Sequence, residues 1–234
     1  MRNEADLPFL AEKGHVISLV GGGGKTTLLY ALAECCARRG WHVLAATTTH
    51  ILRPENGSWV QTDAALSARW ASGRYAVVGT PAEENKLTSP PAAQLESWMA
   101  QADIVLLEAD GAKHCPCKAP AAHEPVLLPQ SDIVLAVAGL SALGRPLRQV
   151  CFRYEEACCW LGTTPESILT PQLLARLLAD AQGGRKDVGG RQFYAVLNQA
   201  DDACRRQLGC QVQTELARAG VKSVLTCFTE GERA

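Results

Sequence analysis

The sequence predicts an α/β fold, a mostly parallel sheet with helices on both faces. Two observations predict it. Short, near-continuous apolar runs recur along the chain, the pattern of strands covered on both sides. Segments with helical spacing separate most of them, and a strand–helix–strand crossover makes the strands parallel neighbours. At 234 residues the chain suits a single domain, residues 1–234, with a small helical insertion expected at about 140–190.

The elements follow in order. His15 to Val20 is a short β-branched run, read as a buried strand. Four glycines follow it. Thr26 to Arg39 then places Leu28, Leu29, Leu32, Cys35 and Cys36 at helical spacing, and Gly40 is a stop. Trp41 to Ala46 reads as the next strand. Further strands are expected at Tyr75 to Val78, Ile104 to Leu107, Ile133 to Val137, Phe193 to Leu197 and Ser223 to Cys227. Helices are expected through Asp63 to Ala71, Ala92 to Ala100, Glu155 to Leu161, Pro171 to Ala181 and Asp202 to Ala219. Thr80 to Pro91 and Gly111 to Gln130 are long, Pro-rich connections of the kind that carry function. Gln182 to Arg191 is a basic, glycine-rich loop.

Composition narrows the function. The net charge is -1, without the basic excess of a nucleic-acid binder. No run approaches the roughly 18 to 20 apolar residues of a membrane helix, and the N-terminus lacks the apolar core of a signal peptide. A cytoplasmic protein that engages neither nucleic acid nor membrane is expected. The 10 cysteines are then expected to be mostly reduced and structural, several of them small apolar residues in helices.

The chemistry concentrates after the first strand. VISLV runs into Gly21, Gly22, Gly23 and Gly24, then Lys25, Thr26 and Thr27 open a helix. Glycines let successive amides converge on one anion, and the helix start adds partial positive charge. This is the setting of a phosphate-binding P-loop. Lys25 would reach the β- and γ-phosphates of ATP or GTP, and the Thr26 hydroxyl would hold Mg2+. Position 19 is Leu, so the longer G-x-x-x-x-G-K-T spacing fails and a shorter G-x-x-G-K-T fits. The shorter loop resembles that of the Mur ligase and folylpolyglutamate synthase group.

Acidic and polar partners follow. The strand ADIVLLEADGA ends on Glu108 and Asp110. One carboxylate would hold Mg2+ and the other orient a nucleophile. Asp110 is taken as the metal ligand beside Thr26, although the spacing leaves Glu108 open. Lys25, Glu108 and Asp110 are the candidate catalytic residues. Thr47, Thr48, Thr49 and His50 follow the second strand, at the carboxyl end where open α/β sheets bind ligands; capping of the next element is the equal alternative. Asn198 to Asp201 resembles the N-K-x-D element that reads guanine, with Gln199 in place of Lys. Asn198 and Asp201 are candidate nucleotide contacts, and a helix cap is the alternative. In AKHCPCKAPAAHEP, Lys113, Lys118, His123 and Glu124 form a mixed-charge surface suited to an anionic substrate, with Thr48, Thr49 and His50 beside it. Cys115 and Cys117 lack a standard zinc spacing.

Together these elements resemble the YqeC family, proposed accessory proteins for selenium-dependent molybdenum hydroxylases. The likeness rests on V-G-G-G-G-K-T-T at 20–27, T-T-T-H at 47–50, E-A-D-G-A-K at 108–113, P-x-K-x-P-x-x-H-E-P at 116–125, G-L-x-x-L-G at 139–144 and V-L-N-Q-A-D at 196–201. Gln199 departs from the family's usual N-K-x-D. The resemblance implies a P-loop NTPase-like fold and a role in maturing such a hydroxylase or its selenium- and molybdenum-containing cofactor. The client would be the hydroxylase or the cofactor itself. Two other functions fit the residues: an ATP-dependent kinase or ligase acting on a small anionic substrate, and a nucleotide-dependent binding module without turnover.

Overall fold

The computed structural model describes residues 7–227. In chain order the strands are β1 (Val16–Gly21), β2 (Val43–Thr47), β3 (His50–Leu52), β4 (Trp59–Val60), β5 (Ala76–Val78), β6 (Thr80–Ala82), β7 (Lys86–Thr88), β8 (Ile104–Glu108), β9 (Cys117–Lys118), β10 (Ile133–Gly139), β11 (Cys151–Phe152), β12 (Gln192–Asn198) and β13 (Lys222–Leu225). The helices are α1 (Lys25–Arg38), α2 (Asp63–Ala71), α3 (Ala92–Met99), α4 (Leu147–Val150), α5 (Tyr154–Leu161), α6 (Pro171–Ala179) and α7 (Ala203–Arg218).

Eight strands form one sheet in the order β13-β12-β10-β1-β8-β2-β5-β4. Every pairing in it is parallel. Alternate residues of each strand face opposite sides, and the two sides are covered differently. Ile17 and Leu19 of β1, Leu135 and Val137 of β10 and Val196 of β12 pack with Leu28, Leu29 and Leu32 of α1. Phe9 and Leu10, in a 3-10 turn at Pro8–Leu10, complete that side. On the other side, Ala136, Ala138 and Leu197 meet Leu161 of α5, Leu174 and Leu178 of α6 and Leu216 of α7. Further along the same side Leu44, Val78 and Leu107 meet Leu66 and Trp70 of α2 and Trp98 of α3. The α/β fold with helices on both faces is the one the sequence predicted.

Local chemistry places the helix starts. The Thr62 side chain accepts from the Ala65 amide, Thr170 from Leu173 and Asp202 from Arg205, each satisfying an orphan donor of the first turn. The α7 cap is thus Asp202, beside the expected Asn198 or Asp201.

Two expected loops are built. Thr80 to Pro91 contains a hairpin, β6 and β7, which with β3 forms a small antiparallel sheet. Glu84 and Asn85 turn it with φ of 56° each. Strands of 3 residues interrupted by Pro81 give no alternation long enough to read. In Gly111 to Gln130, β9 pairs in parallel with β11, Cys117 opposite Cys151 and Lys118 opposite Phe152. Between β10 and β12 the chain forms α4, β11, α5 and α6, and packs on the α7 side of the sheet.

β1 lies between β8 and β10, so its carboxyl end and the glycine turn sit at the middle of the sheet. The turn is gripped on both sides. The Gly22 amide donates to Val137 O and the Gly23 amide to Cys115 O. The Asn198 amide nitrogen donates to Gly23 O at 2.8 Å, and its oxygen accepts from the Thr226 hydroxyl. Gly23 has φ of 73°, and a Cβ there would lie 2.0 Å from the Gly139 nitrogen. Gly23→Ala is expected to cost about 3 kcal/mol or more, since strained backbone and overlap with another backbone add. Gly40→Ala, equally left-handed but facing open space, is expected to cost about 1 kcal/mol. Urea unfolding midpoints of the two variants measure the difference, and equal midpoints would show that the turn is not tightly held.

Candidate functional site

The site forms where β1, β8 and β2 end side by side, Leu19 opposite Glu108 and Thr47 opposite Glu108. α1 starts above these strand ends. Gly24, with φ of 90°, precedes its first residue and makes no side-chain cap. The first bond back into the helix start is Leu28 N–H to Gly24 O. Among the described residues the amides of Lys25, Thr26 and Thr27 have no protein acceptor, the usual condition of a helix N-terminus and the one that suits an anion. Gly24 is exposed, and Thr26 and Thr27 are half-buried.

The amides earlier in the turn differ. The Gly21 amide donates to both oxygens of Asp110, at 3.1 and 3.0 Å. Gly22 and Gly23 are buried, with their amides held by Val137 and Cys115. The amides open to an anion are therefore those from the helix start onward. The expectation that Gly21, Gly22 and Gly23 offer theirs is corrected: each is satisfied within the protein. Their lack of side chains serves close packing, since a Cβ on Gly22 would sit 2.6 Å from the Cys115 carbonyl oxygen.

Lys25 folds back over the turn. Its ammonium, 3% exposed, donates to Gly21 O at 2.5 Å, lies 3.1 Å from Asp110 Oδ1 and 3.9 Å from Glu108 Oε1. The Thr26 hydroxyl donates to Glu108 Oε2 at 2.7 Å. The residue beside Thr26 is thus Glu108 and not Asp110, which was expected there. Burial pushes the Glu108 carboxyl above its ordinary range; Lys25 and the Thr26 hydroxyl oppose the rise, and Asp110 adds to it.

Asp110 links the Lys25 ammonium to a further line of charges. Lys118, 1% exposed, lies 3.1 Å from Asp110 Oδ2 and 2.7 Å from Glu124 Oε2, and also donates to Gly111 O. Glu124 accepts from the Ala121 amide and from Arg153 at 2.6 Å. Burial raises the Glu124 carboxyl, but Lys118, the Ala121 amide and Arg153 together hold it below its ordinary value. Lys186, from the basic glycine-rich loop, donates to the carbonyls of Ala121, Ala122 and Glu124. Lys118 and Glu124 therefore bind each other, where the sequence suggested surface residues.

The threonine cluster is engaged with backbone. Thr47 Oγ1 donates to Glu108 O and Thr48 Oγ1 to Val126 O, while the Thr49 amide donates to Thr47 Oγ1. These bonds fix the end of β8 and the 126 segment. His50 is exposed at the start of β3, and His123 is exposed. Asn198 has both ends of its amide occupied by Gly23 and Thr226. Asp201 is paired with Arg205 at 3.2 Å. Gln199, with φ of 66°, accepts from Ser141.

Cys117 is buried and donates to Val150 O. Its thiol is pushed well above the ordinary range, first by its hydrogen bond with Cys151 and then by burial, which disfavours the thiolate. Among the described residues no group of three or more His, Cys, Asp or Glu is arranged to hold a metal ion. No described helix is long and apolar enough to cross a membrane. Arg153, Lys186 and Phe152 were missed by sequence reasoning, because a lone Arg or Lys outside a motif carries no signal until the fold brings it to Glu124.

Comparison with known proteins bears on this geometry. The chain is 33% identical over 201 residues to the uncharacterized protein YqeC of Escherichia coli (strain K12), spanning 77% of this chain and 75% of that one. Among solved structures, the hydrogenase maturation factor HypB from Archaeoglobus fulgidus aligns with a TM-score of 0.41 at 12% identity, covering 91% of this chain and 81% of that chain. The model of the YqeC protein family matches residues 17–155, which hold β1, the glycine turn, Glu108, Asp110 and the line of charges through Arg153, and the chain belongs to that family.

Proposed function

We propose that this protein binds a Mg2+-nucleoside triphosphate at the start of α1 and hydrolyses it while serving the maturation of a selenium-dependent molybdenum hydroxylase or its cofactor. One observation carries the nucleotide reading: Lys25, Thr26 and Glu108 converge at a helix start whose amides lack protein acceptors. The maturation role is supported by family membership and by the motif resemblance from 20 to 201.

The residues fit the metal. The Thr26 hydroxyl and the Glu108 carboxylate are hard oxygen donors already 2.7 Å apart, the type of ligand Mg2+ takes. A buried carboxylate with a raised proton affinity gains most from a cation beside it. When bound, Mg2+ would neutralise charge on the β- and γ-phosphates. The protein's own part is positional. Amides of Lys25 to Thr27 would hold phosphate oxygens, and the Lys25 ammonium would leave Gly21 O to bind the terminal phosphates. Asp110 keeps the Gly21 amide and Lys118 as partners through that change. ATP and GTP both suit this cradle; Asp201, exposed beside Arg205, is the candidate for reading a guanine.

A second reading is a kinase or ligase acting on a small anionic substrate. It is favoured by the short G-x-x-G-K-T loop and by Lys113, which stands exposed on the segment that bonds Gly23 through Cys115. Release of free phosphate stimulated by a client hydroxylase supports the first reading. Transfer of labelled γ-phosphate to a small acceptor supports the second.

Lys25→Ala is expected to weaken Mg2+-ATP or Mg2+-GTP binding about 100-fold, the scale of losing a charge-assisted contact to phosphate. Calorimetric titration measures it, with circular dichroism confirming the fold, and undiminished affinity would remove the nucleotide assignment. Glu108→Gln separates stability from function. With its folded-state value raised, Glu108 keeps its proton, between the ordinary Glu range and that raised value, where the unfolded chain has released it. Stability is therefore lost as pH rises from the ordinary Glu range through the folded value. The Gln variant is expected to lack that slope in urea midpoints across pH, to match or exceed the parent at neutral pH, and to lose Mg2+-dependent nucleotide affinity. A variant that is less stable at neutral pH and still binds the Mg2+-nucleotide contradicts the assignment.

A further inference from the structure

Beside the glycine turn lies a second cluster of cations. β9 touches the turn, because a Cβ on Gly22 would meet Cys117 Cα at 3.0 Å. β9 in turn pairs with β11, placing Phe152 opposite Lys118. Three cations surround the half-buried Phe152 ring: the Arg153 guanidinium at 4.4 Å, the Lys113 ammonium at 5.3 Å and the Lys118 ammonium at 5.9 Å. Like charges gather this closely only at a cost, which nearby anions must offset.

The anions present do so fully for Lys118, in part for Arg153 and not for Lys113. Lys118 is buried between Asp110 and Glu124. Arg153 gives Glu124 a single Nη1–H bond, and its Nε and Nη2 hydrogens have no acceptor among the described residues. Lys113 has neither a carboxylate nor a carbonyl partner among the described residues, and its side chain is exposed. The backbone is held for this arrangement. Lys113, His114 and Arg153 have φ of 45°, 63° and 59°, left-handed values that cost energy for residues with a Cβ and that cluster at ligand clamps.

We propose that Lys113 and Arg153, set against Phe152, form an oxyanion site for a phosphate- or carboxylate-bearing small molecule. The ring removes water from one side of both cations, which strengthens their pull on an anion. Guanidinium and ammonium donors converging from two sides suit a group with two or three oxygens. The site lies one strand away from the glycine turn, separate from the amides of Lys25 to Thr27. That its ligand is a second substrate rests on the nucleotide reading above; the oxyanion site itself does not.

The test is a titration of the isotopically labelled, full-length protein with inorganic phosphate and, separately, with acetate, followed by amide chemical shifts. Saturable shifts are expected at Lys113, His114, Phe152 and Arg153. Lys113→Ala and Arg153→Lys are each expected to weaken the response there about tenfold, the scale of one charge-assisted hydrogen bond. The phosphate and acetate arms decide which oxyanion class the site prefers. Shifts confined to Gly24 through Thr27, or an affinity untouched by Lys113→Ala, would overturn the proposal. Mg2+-ATP affinity of the parent protein is measured in parallel. Absence of ATP binding in the parent protein would sink the nucleotide reading while leaving the phosphate titration to be judged alone.

Discussion

A line of alternating charges, buried except for the half-buried Arg153 at its end, organises this protein. It runs from Glu108 through Lys25, Asp110, Lys118 and Glu124 to Arg153, with links of 3.9, 3.1, 3.1, 2.7 and 2.6 Å. Its members come from the start of α1, the end of β8, β9, the 119–125 segment and the turn before α5. Ions removed from water cost several kcal/mol each unless paired and hydrogen-bonded. Here each carboxylate also accepts a bond from a neutral donor: Thr26 for Glu108, the Gly21 amide for Asp110 and the Ala121 amide for Glu124. The line therefore acts more as a register than as a source of stability. Moving any one segment leaves an ion unmatched.

The glycine turn obeys the same constraint. With Gly21 on Asp110, Gly22 on Val137 and Gly23 on Cys115, its shape is set by β8, β10 and the 115 segment. Rigidity in the turn leaves the donors from Lys25 onward aimed in a fixed direction, which is what binding of a charged group requires. Lys186 extends the order outward, since its ammonium holds three carbonyls of the segment that carries Glu124.

Much of the fold was legible in the sequence, because long buried strands and amphipathic helices repeat with clear periods. β1, β8, β10 and β12 are apolar runs of 5 to 7 residues, and α1 shows its stripe directly. The small sheet of β3, β6 and β7 was not legible, nor was the pairing of β9 with β11. Strands of 2 or 3 residues have no period, and partners 30 or more positions apart leave no local trace. At the site, Lys25, Thr26 and Glu108 stood out through a motif whose spacing implies geometry. The exchange of Asp110 for Glu108 beside Thr26 was not legible, because the direction of side chains where a strand ends depends on the turn that follows. Thr47, Thr48 and Asn198 were visible as polar residues at strand ends, yet sequence does not say whether a hydroxyl or amide faces a ligand or another backbone.

The bond between Asn198 and Gly23 spans 175 positions, and Asn198 is itself held by Thr226. β1 also needs β8 and β10 before it has neighbours on either side. During synthesis the glycine turn therefore emerges early and is secured last. Until β8 and β10, ending at Glu108 and Gly139, have left the ribosome, the first strand lacks its neighbours on both sides. Contacts of such long range slow folding and expose edges to aggregation. The nascent chain thus has an interval of vulnerability, which ends when Asn198 closes on the turn.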